Sequence, residues 1–374
     1  MVTTPAELAE VVEHLSSQSS VAIDTEADSF HSYFEKTCLI QIASSQREYV
    51  VDPLALSDLS PLATVFADPR IEKVFHAAEY DILILKRDYG FSFQNIFDTM
   101  VASKVLGYKR CGLSALAEEL LGVHLEKGFQ RADWSRRPLT AELIHYARQD
   151  VRYLLELRRL LGEQLQARGR QSQAEEEFLR LTQVTWNKRG FDPEGYQAIK
   201  DAEYLDDASR AILRELYLAR DAEARRRDVP PFRIVNDSVL VGISQRRPTS
   251  KTDLTRLQIP GLTPLVVERH GGWIIAAVRR GRQGPPQPFR RPRSGHRRDD
   301  AERARFETLR RWRKEQGERE GVEPEVILPR QALSAIAHQP PADLDELAAV
   351  SGLGPWTVGQ YGEQLLQVLK QAKG

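Results

Sequence analysis

The segment VAIDTEADSF, residues 21–30, carries an apolar, strand-like stretch into three carboxylates, Asp24, Glu26 and Asp28. In an extended strand, side chains at i and i+2 leave on one face. Asp24 and Glu26 therefore stand side by side, close enough to share a cation. Asp28 joins them only if the strand continues past Ala27. The following SFHSYFEK reads as a turn, so Asp28 is expected to be a turn residue. In YARQD, Tyr146 and Asp150 are spaced i and i+4 on a helix and share a face. Asp81 lies five residues after His76, near the start of a helix that follows a strand, where helix capping or first-turn charge would serve equally well. Carboxylates without a His/Cys cluster suit hard cations such as Mg²⁺ and Mn²⁺. Taken singly, each acid also has an ordinary reading as a solvated or capping charge.

The elements that must position these groups can be read around them. VAID (21–24), CLIQIA (38–43) and EYVVD (48–52) are β-rich runs separated by turn residues, as in an antiparallel meander. EKVFHA (72–77) is a further strand, and EYDILILKRDYG (79–90) a helix ending at Gly90. IFDT (96–99) is a short apolar run, and MVASKVLG begins another helix. From Leu113 to about Leu165 the pattern is helical, broken by the polar stretch EKGFQRADWSRRP. These features describe an α/β domain over residues 1–170 with most of its helices late.

Residues 171–207 read as a connector that includes the turn signal NKRGFDPEG. Helical regions follow at 208–281 and 300–374. Between them, 282–299 lies in an Arg/Pro-rich linker; RRGRQGPPQPFRRPRSGHRR (279–298) holds eight Arg and no acid. The two helical regions are distant copies of one another. IPGLTPLVVERHG (259–271) aligns without gaps to VSGLGPWTVGQYG (350–362), and LTRL (254–257) matches LDEL (344–347) upstream. A spacing of about 90 residues indicates a duplicated domain, since solenoid repeats have shorter periods.

Net charge is zero over 374 residues, yet its distribution is uneven. Residues 1–150 hold 22 Asp and Glu against 14 Lys and Arg, leaving 31 acids and 39 bases beyond. An acidic half that holds cations and a basic half that holds polyanions would suit a nucleic-acid enzyme; chance unevenness would give the same figures. No apolar run is long enough for a membrane span, and the N-terminus lacks a basic start followed by an apolar stretch. Two cysteines, Cys38 and Cys111, cannot build a disulfide framework or a four-thiolate zinc site. A cytoplasmic protein with reduced thiols is expected. The absence of a G-x-x-x-x-G-K-[ST] loop argues against a helicase and a nucleotide cofactor.

Taken in order, IDTEADSF, FHAAEYDILIL and YARQDVRYLLEL resemble the three motifs of the DEDD exonuclease superfamily in its tyrosine-bearing branch. The stretch LSALAEELLGVHLEKGFQRADWSRRPLTAELIHYA, with CLIQIA and IFDTMVASKVLG, is similar to the ribonuclease D family over the whole first domain. The two helical copies resemble HRDC domains. The fold this implies is an α/β RNase H-like exonuclease domain with a mixed sheet, followed by two all-α HRDC-like domains.

The same resemblance implies that Asp24, Glu26, Asp81 and Asp150 hold two divalent cations, Mg²⁺ or Mn²⁺, which clamp a phosphodiester when about 3.5–4 Å apart. It gives Tyr146 the role of orienting the attacking water. The implied product is a nucleoside 5′-monophosphate, and the implied partner RNA, with transfer-RNA precursors the family's substrate. The catalytic motifs fit a DNA-directed exonuclease equally, although the tandem HRDC layout favours RNA. A catalytically silent RNA-binding protein is opposed by retention of all four acids and the tyrosine. His76, Lys127, Gln130 and Arg131 are candidate substrate contacts, the alternatives being a hydrogen-bonded structural histidine and a solvated loop. Trp134 could stack on a base or anchor packing, and Asp98 is expected to hydrogen-bond locally. SGLGPWTVGQYG could present helix-hairpin-helix amides to a phosphate, or need its glycines only to turn the chain.

Overall fold

The computed structural model describes residues 1–126, 128–186, 190–290 and 299–372. Lys127, part of the turn expected at 187–189, and residues 291–298 of the Arg/Pro-rich linker lie outside them. The chain forms two compact units. One comprises residues 1–27, 37–186 and the C-terminal helices from 299 onward. The other comprises residues 28–36 and the helices within 190–290.

The first unit begins with α1 (Pro5–Ser16), a helix opened by a capping box between Thr4 and Glu7. It leads into β1 (Ser20–Ala27), β2 (Thr37–Ala43) and β3 (Glu48–Val51). Next come α2 (Leu62–Ala67), β4 (Glu72–Phe75), α3 (Glu79–Tyr89), β5 (Ile96–Asp98) and α4 (Thr99–Val105). The remaining nuclease helices are α5 (Leu113–Leu121), α6 (Ala141–Arg152), α7 (Leu154–Ala167) and α8 (Gln171–Thr182). α3 ends as expected on Gly90, whose φ of 69° is the left-handed conformation a glycine adopts without penalty.

The strand order is β3-β2-β1-β4-β5. β1, β2 and β3 pair antiparallel, while β4 and β5 run parallel to β1, so the sheet is mixed. Both faces are covered. Val21 and Ile23 of β1 pack with Ile82 and Leu85 of α3, whereas Ala22 packs with Leu154, Leu157 and Leu161 of α7. Two-sided cover explains why all seven residues of β2 are buried. The stretch assigned as a connector opens with α8, whose Ala174 and Phe178 are buried in the same layer as α7.

The two helical copies share five elements in one order. In the second unit these are α9 (Asp207–Arg227), α10 (Pro231–Ile234), α11 (Asp237–Arg246), α12 (Lys251–Arg256) and α13 (Pro264–Gln283). In the first unit they are α14 (Asp300–Glu320), α15 (Pro324–Ile327), α16 (Arg330–His338), α17 (Leu344–Ala348) and α18 (Pro355–Gln371). Each copy has a buried arginine in its first helix that fastens the short second one. Arg220 donates to the Val235 carbonyl at 2.8 Å and pairs with Asp237; Arg313 donates to the Leu328 carbonyl at 3.1 Å and pairs with Glu325. Both carbonyls lie 15 residues beyond their arginine. A shared hydrogen bond of this kind is independent support for duplication.

In the second unit, residues 28–36 dock on α9. The Tyr33 hydroxyl donates to Asp221 at 2.7 Å, and Phe34 N–H donates to Asp228 at 2.9 Å. Asp28 sits in the expected turn but is fully buried, accepting from the Ser32 hydroxyl and from both the amide and ammonium of Lys36. It therefore ties the connection from β1 to β2 together.

The turn SGLGPW, weighed as a phosphate-binding turn, is already filled. The carboxylate of Glu176 on α8 accepts from Gly354 N–H at 3.2 Å, Trp356 N–H at 2.7 Å, Thr357 N–H at 3.2 Å and the Thr357 hydroxyl. A Cβ at Gly354 would overlap that carboxylate, which is why a glycine stands there. A partly buried carboxylate at the start of α18 meets the positive end of its dipole. Hydrogen bonds to a charged acceptor contribute about 1.5–3 kcal/mol. Glu176→Ala is expected to bring the first thermal transition of the full chain down and to open residues 299–372 to proteolysis, with Glu176→Gln intermediate. Unchanged melting and cleavage would remove Glu176 from this role.

Candidate active site

The site is built where β1 outruns its parallel neighbour. Pairing between β1 and β4 ends at Ala22 and Val74, while β1 continues to Ala27 against β2 alone. Asp24 and Glu26 fall on this one-sided extension and alternate with Thr25, as the spacing requires. Carboxyl ends of parallel strands are the usual place for ligands in open α/β sheets.

α6 brings the third acid. It is capped by Thr140, whose hydroxyl accepts from Leu143 N–H, and it is pinned at both ends. Before it, Arg137 donates to Asp52 at 2.6 and 2.7 Å and to the Cys38 carbonyl at 2.9 Å. At its last turn, Arg152 forks onto Glu48 of β3 at 2.6 and 2.9 Å. With the helix so held, ligand oxygens of Asp24, Glu26 and Asp150 lie within 4.8 Å of one another. Tyr146, one helical turn before Asp150, is buried with Leu39, Val50 and Ala147 beneath the helix, edge-on to Phe129.

Asp81 stands outside that triad. It is buried at the start of α3, where its carboxylate accepts from the Thr25 hydroxyl. Its charge nevertheless reaches Asp24 and Glu26. The bend that delivers it is held by Asp98. That carboxylate accepts from Ala77 and Ala78 N–H at 3.2 and 2.7 Å, and from Met100 and Val101 N–H at 2.8 and 3.0 Å. Ala77 has φ 63°, a left-handed conformation that costs a non-glycine residue free energy, and the Asp98 bond holds it there. Asp98 thus does more than the local capping expected of it: it sets the start of α3 as well as that of α4. Thr25 carried no signal as a site residue, because its partner Asp81 is distant in sequence.

Electrostatics are dominated by desolvation. Burial, followed by the charges of Asp81, Asp150 and Glu26, holds the Asp24 carboxyl well above the usual range. Burial, then Asp150 and Asp81, does the same for Glu26. Burial raises Asp150 to about 7 and Asp81 to about 7, the latter against the opposing Thr25 hydrogen bond. The Tyr146 phenol is pushed up by burial and then by Asp150, Glu26 and Asp24, so it keeps its proton. Four acids that resist ionisation in a packed protein, offering oxygen donors only, fit a hard divalent cation that would supply the missing positive charge.

The remaining candidates sit differently. His76 Nδ1 lies 2.9 Å from the Thr99 hydroxyl, which itself donates to the Phe75 carbonyl, so Nδ1 is the donor. Burial lowers its pKa to about 4, and a neutral ring has no charge to offer a phosphate. Gln130 and Arg131 are exposed in the loop before α6, and Lys127 lies outside the described residues. Trp134 is buried against Tyr146, with ring centroids 6.2 Å apart, and anchors packing.

The 3′-5′ exonuclease family pattern matches residues 1–166, and the HRDC domain pattern matches 209–278 and 302–369. Ribonuclease D of Nitrobacter hamburgensis is 32% identical over 98% of this chain and 94% of its own length. The exosome complex component 10 homolog of Caenorhabditis elegans is 36% identical over 66% of this chain, which spans 29% of that longer protein. Among solved structures, RNase D of Escherichia coli, an exoribonuclease involved in structured RNA processing, superposes with a TM-score of 0.67 at 26% identity. That superposition covers 99% of this chain and 98% of the other. Among the described residues, no helix is long and apolar enough to cross a membrane.

The raised carboxyls make the metal-free protein pH-sensitive. Asp81 and Asp150 rise from 3.8 to about 7 on folding, so the folded state binds more protons than the unfolded chain between those values. Their contribution is complete below the ordinary carboxylate pKa and is lost as pH rises through about 7. In chelator, Tm is expected to fall across this window, and Asp150→Asn to flatten the fall. A wild-type Tm that rises over the same range, or a variant with an unchanged slope, would contradict it.

Proposed function

The chain belongs to the ribonuclease D family of 3′–5′ exoribonucleases, and on that premise we propose that it trims the 3′ ends of structured RNA precursors, transfer-RNA precursors among them. The observation that carries this reading is the grouping of Asp24, Glu26 and Asp150 within 4.8 Å at a sheet end, with Asp81 beside them. In this reading the four acids hold two divalent cations, Mg²⁺ or Mn²⁺. When bound, such cations acidify a water and stabilise charge on the attacking and leaving oxygens of a phosphodiester.

The chain's own residues supply the rest. The carboxylates, ionised around the cations, fix where the terminal phosphodiester lies. Tyr146 stays protonated, so its hydroxyl orients the attacking water by hydrogen bonding and does not act as a base. Gln130 and Arg131, exposed ahead of α6, serve the RNA backbone. Cleavage releases one nucleoside 5′-monophosphate at a time. The basic surplus beyond residue 150 suits retention of a polyanion. Cys38 and Cys111 form no disulfide, in keeping with action in the reducing cytoplasm.

The test is digestion of a 3′-labelled transfer-RNA precursor carrying extra 3′ nucleotides. Wild type with Mg²⁺ or Mn²⁺ is expected to release labelled 5′-monophosphate, and chelator to abolish release. Asp24→Asn should be folded and inactive. Tyr146→Phe should bind cations normally and lose about 100-fold in kcat through misplacement of the water. Full activity in chelator would overturn the metal reading, and faster degradation of single-stranded DNA of equal length would overturn the RNA reading.

A further inference from the structure

Gln41, in the middle of β2, has no place in the mechanism above, yet its surroundings single it out. It is the strand partner directly opposite Asp24. Directly opposed residues of antiparallel strands send their side chains to the same face as close neighbours. Gln41 therefore lies beside Asp24 on the face that α6 covers. Its other neighbours on that face are apolar: Leu39, opposite Glu26, and Val50, opposite Gln41 on β3. Both belong to the cluster that buries Tyr146 and Ala147.

Gln41 is fully buried, and among the described residues neither Oε1 nor Nε2 has a hydrogen-bond partner. A buried carboxamide with donor and acceptor both idle is destabilising, and native structures hold few such groups. Leucine or methionine would fill the position without that penalty. The adjacent polar feature on the same face is the Asp24 carboxyl. A carboxylate is a strong acceptor for an amide N–H, and the strand register puts that of Asp24 opposite Gln41.

We propose that Gln41 is a positioning residue for Asp24: its buried amide, opposite Asp24 in the strand register, donates through Nε2 to that side chain as it takes up a divalent cation and so fixes its orientation. The proposal rests on the metal-binding reading of the acids. Groups that orient a ligand in this way typically change metal affinity about 10- to 100-fold when removed.

The experiment is Mn²⁺ titration of the full chain, read by electron paramagnetic resonance of the free ion, with thermal unfolding in chelator measured in parallel. Gln41→Met keeps the volume and removes the amide. It is expected to weaken Mn²⁺ binding about 10- to 100-fold, to leave Tm in chelator unchanged or higher, and to leave KM for RNA at saturating Mn²⁺ unchanged. A purely structural role would instead lower Tm in chelator and leave affinity alone. Should Gln41→Met fail to fold, Gln41→Asn, with its amide one methylene short, carries the same expectation. Equal Mn²⁺ affinity in folded variant and wild type overturns the role of Gln41 only. Absence of Mn²⁺ binding by wild type overturns the metal reading beneath it.

Discussion

Everything in the nuclease body answers one electrostatic difficulty, the burial of like charges. Three half-buried carboxylates whose oxygens lie within 4.8 Å of one another, with the buried Asp81 close by, repel one another and resist full ionisation without a counter-charge. Left free, the side chains would turn outward to water. The fold prevents this by placing two on the stretch of β1 that pairs with β2, and one on a helix tied at each end. Arg137 on Asp52 and Arg152 on Glu48 fix α6 over the sheet, and Asp98 fixes the bend that begins α3. Relief of that repulsion is what a divalent cation would supply in the proposed reading.

The same economy of fixed anions appears away from the site. Glu176 occupies the amides at the start of α18 that a phosphate would otherwise meet. Asp28 gathers the turn between β1 and β2, and Tyr33 in that turn is held by Asp221 of α9. Duplicated helices with a common buried arginine, Arg220 and Arg313, keep the two copies alike inside while their surfaces diverge.

Local periodicity made much of this legible. Alternation along β1 put Asp24 with Glu26, and helical spacing put Tyr146 with Asp150, because both rules depend only on neighbours in sequence. The antiparallel meander, the helix ending at Gly90 and the paired helical copies were readable for the same reason. What escaped depends on distant partners. Thr25 meets Asp81 across 56 residues, and Arg137 meets Asp52 across 85. Nothing in SGLGPW indicates that its amides are taken by Glu176, 178 residues earlier. Asp28 lacked a cation-binding partner on its own face and so read as an incidental turn acid; its burial comes from Ser32 and Lys36 folding back on it. Gln41 was visible only as one polar letter in CLIQIA, and its position opposite Asp24 depends on strand register. α8 read as connector because its apolar residues are few and its burial is supplied by β5, α4 and α7, which lie earlier in the chain.

In the proposed reading, Asp24, Glu26, Asp81 and Asp150 form one cation site. Diffraction from crystals of the full chain soaked in Mn²⁺, recorded for the anomalous signal of manganese, tests it most directly. Anomalous peaks among those four side chains, lost in Asp24→Asn crystals, are the expected result. A map with no peak there, or with manganese only at other acids of the surface, would contradict it.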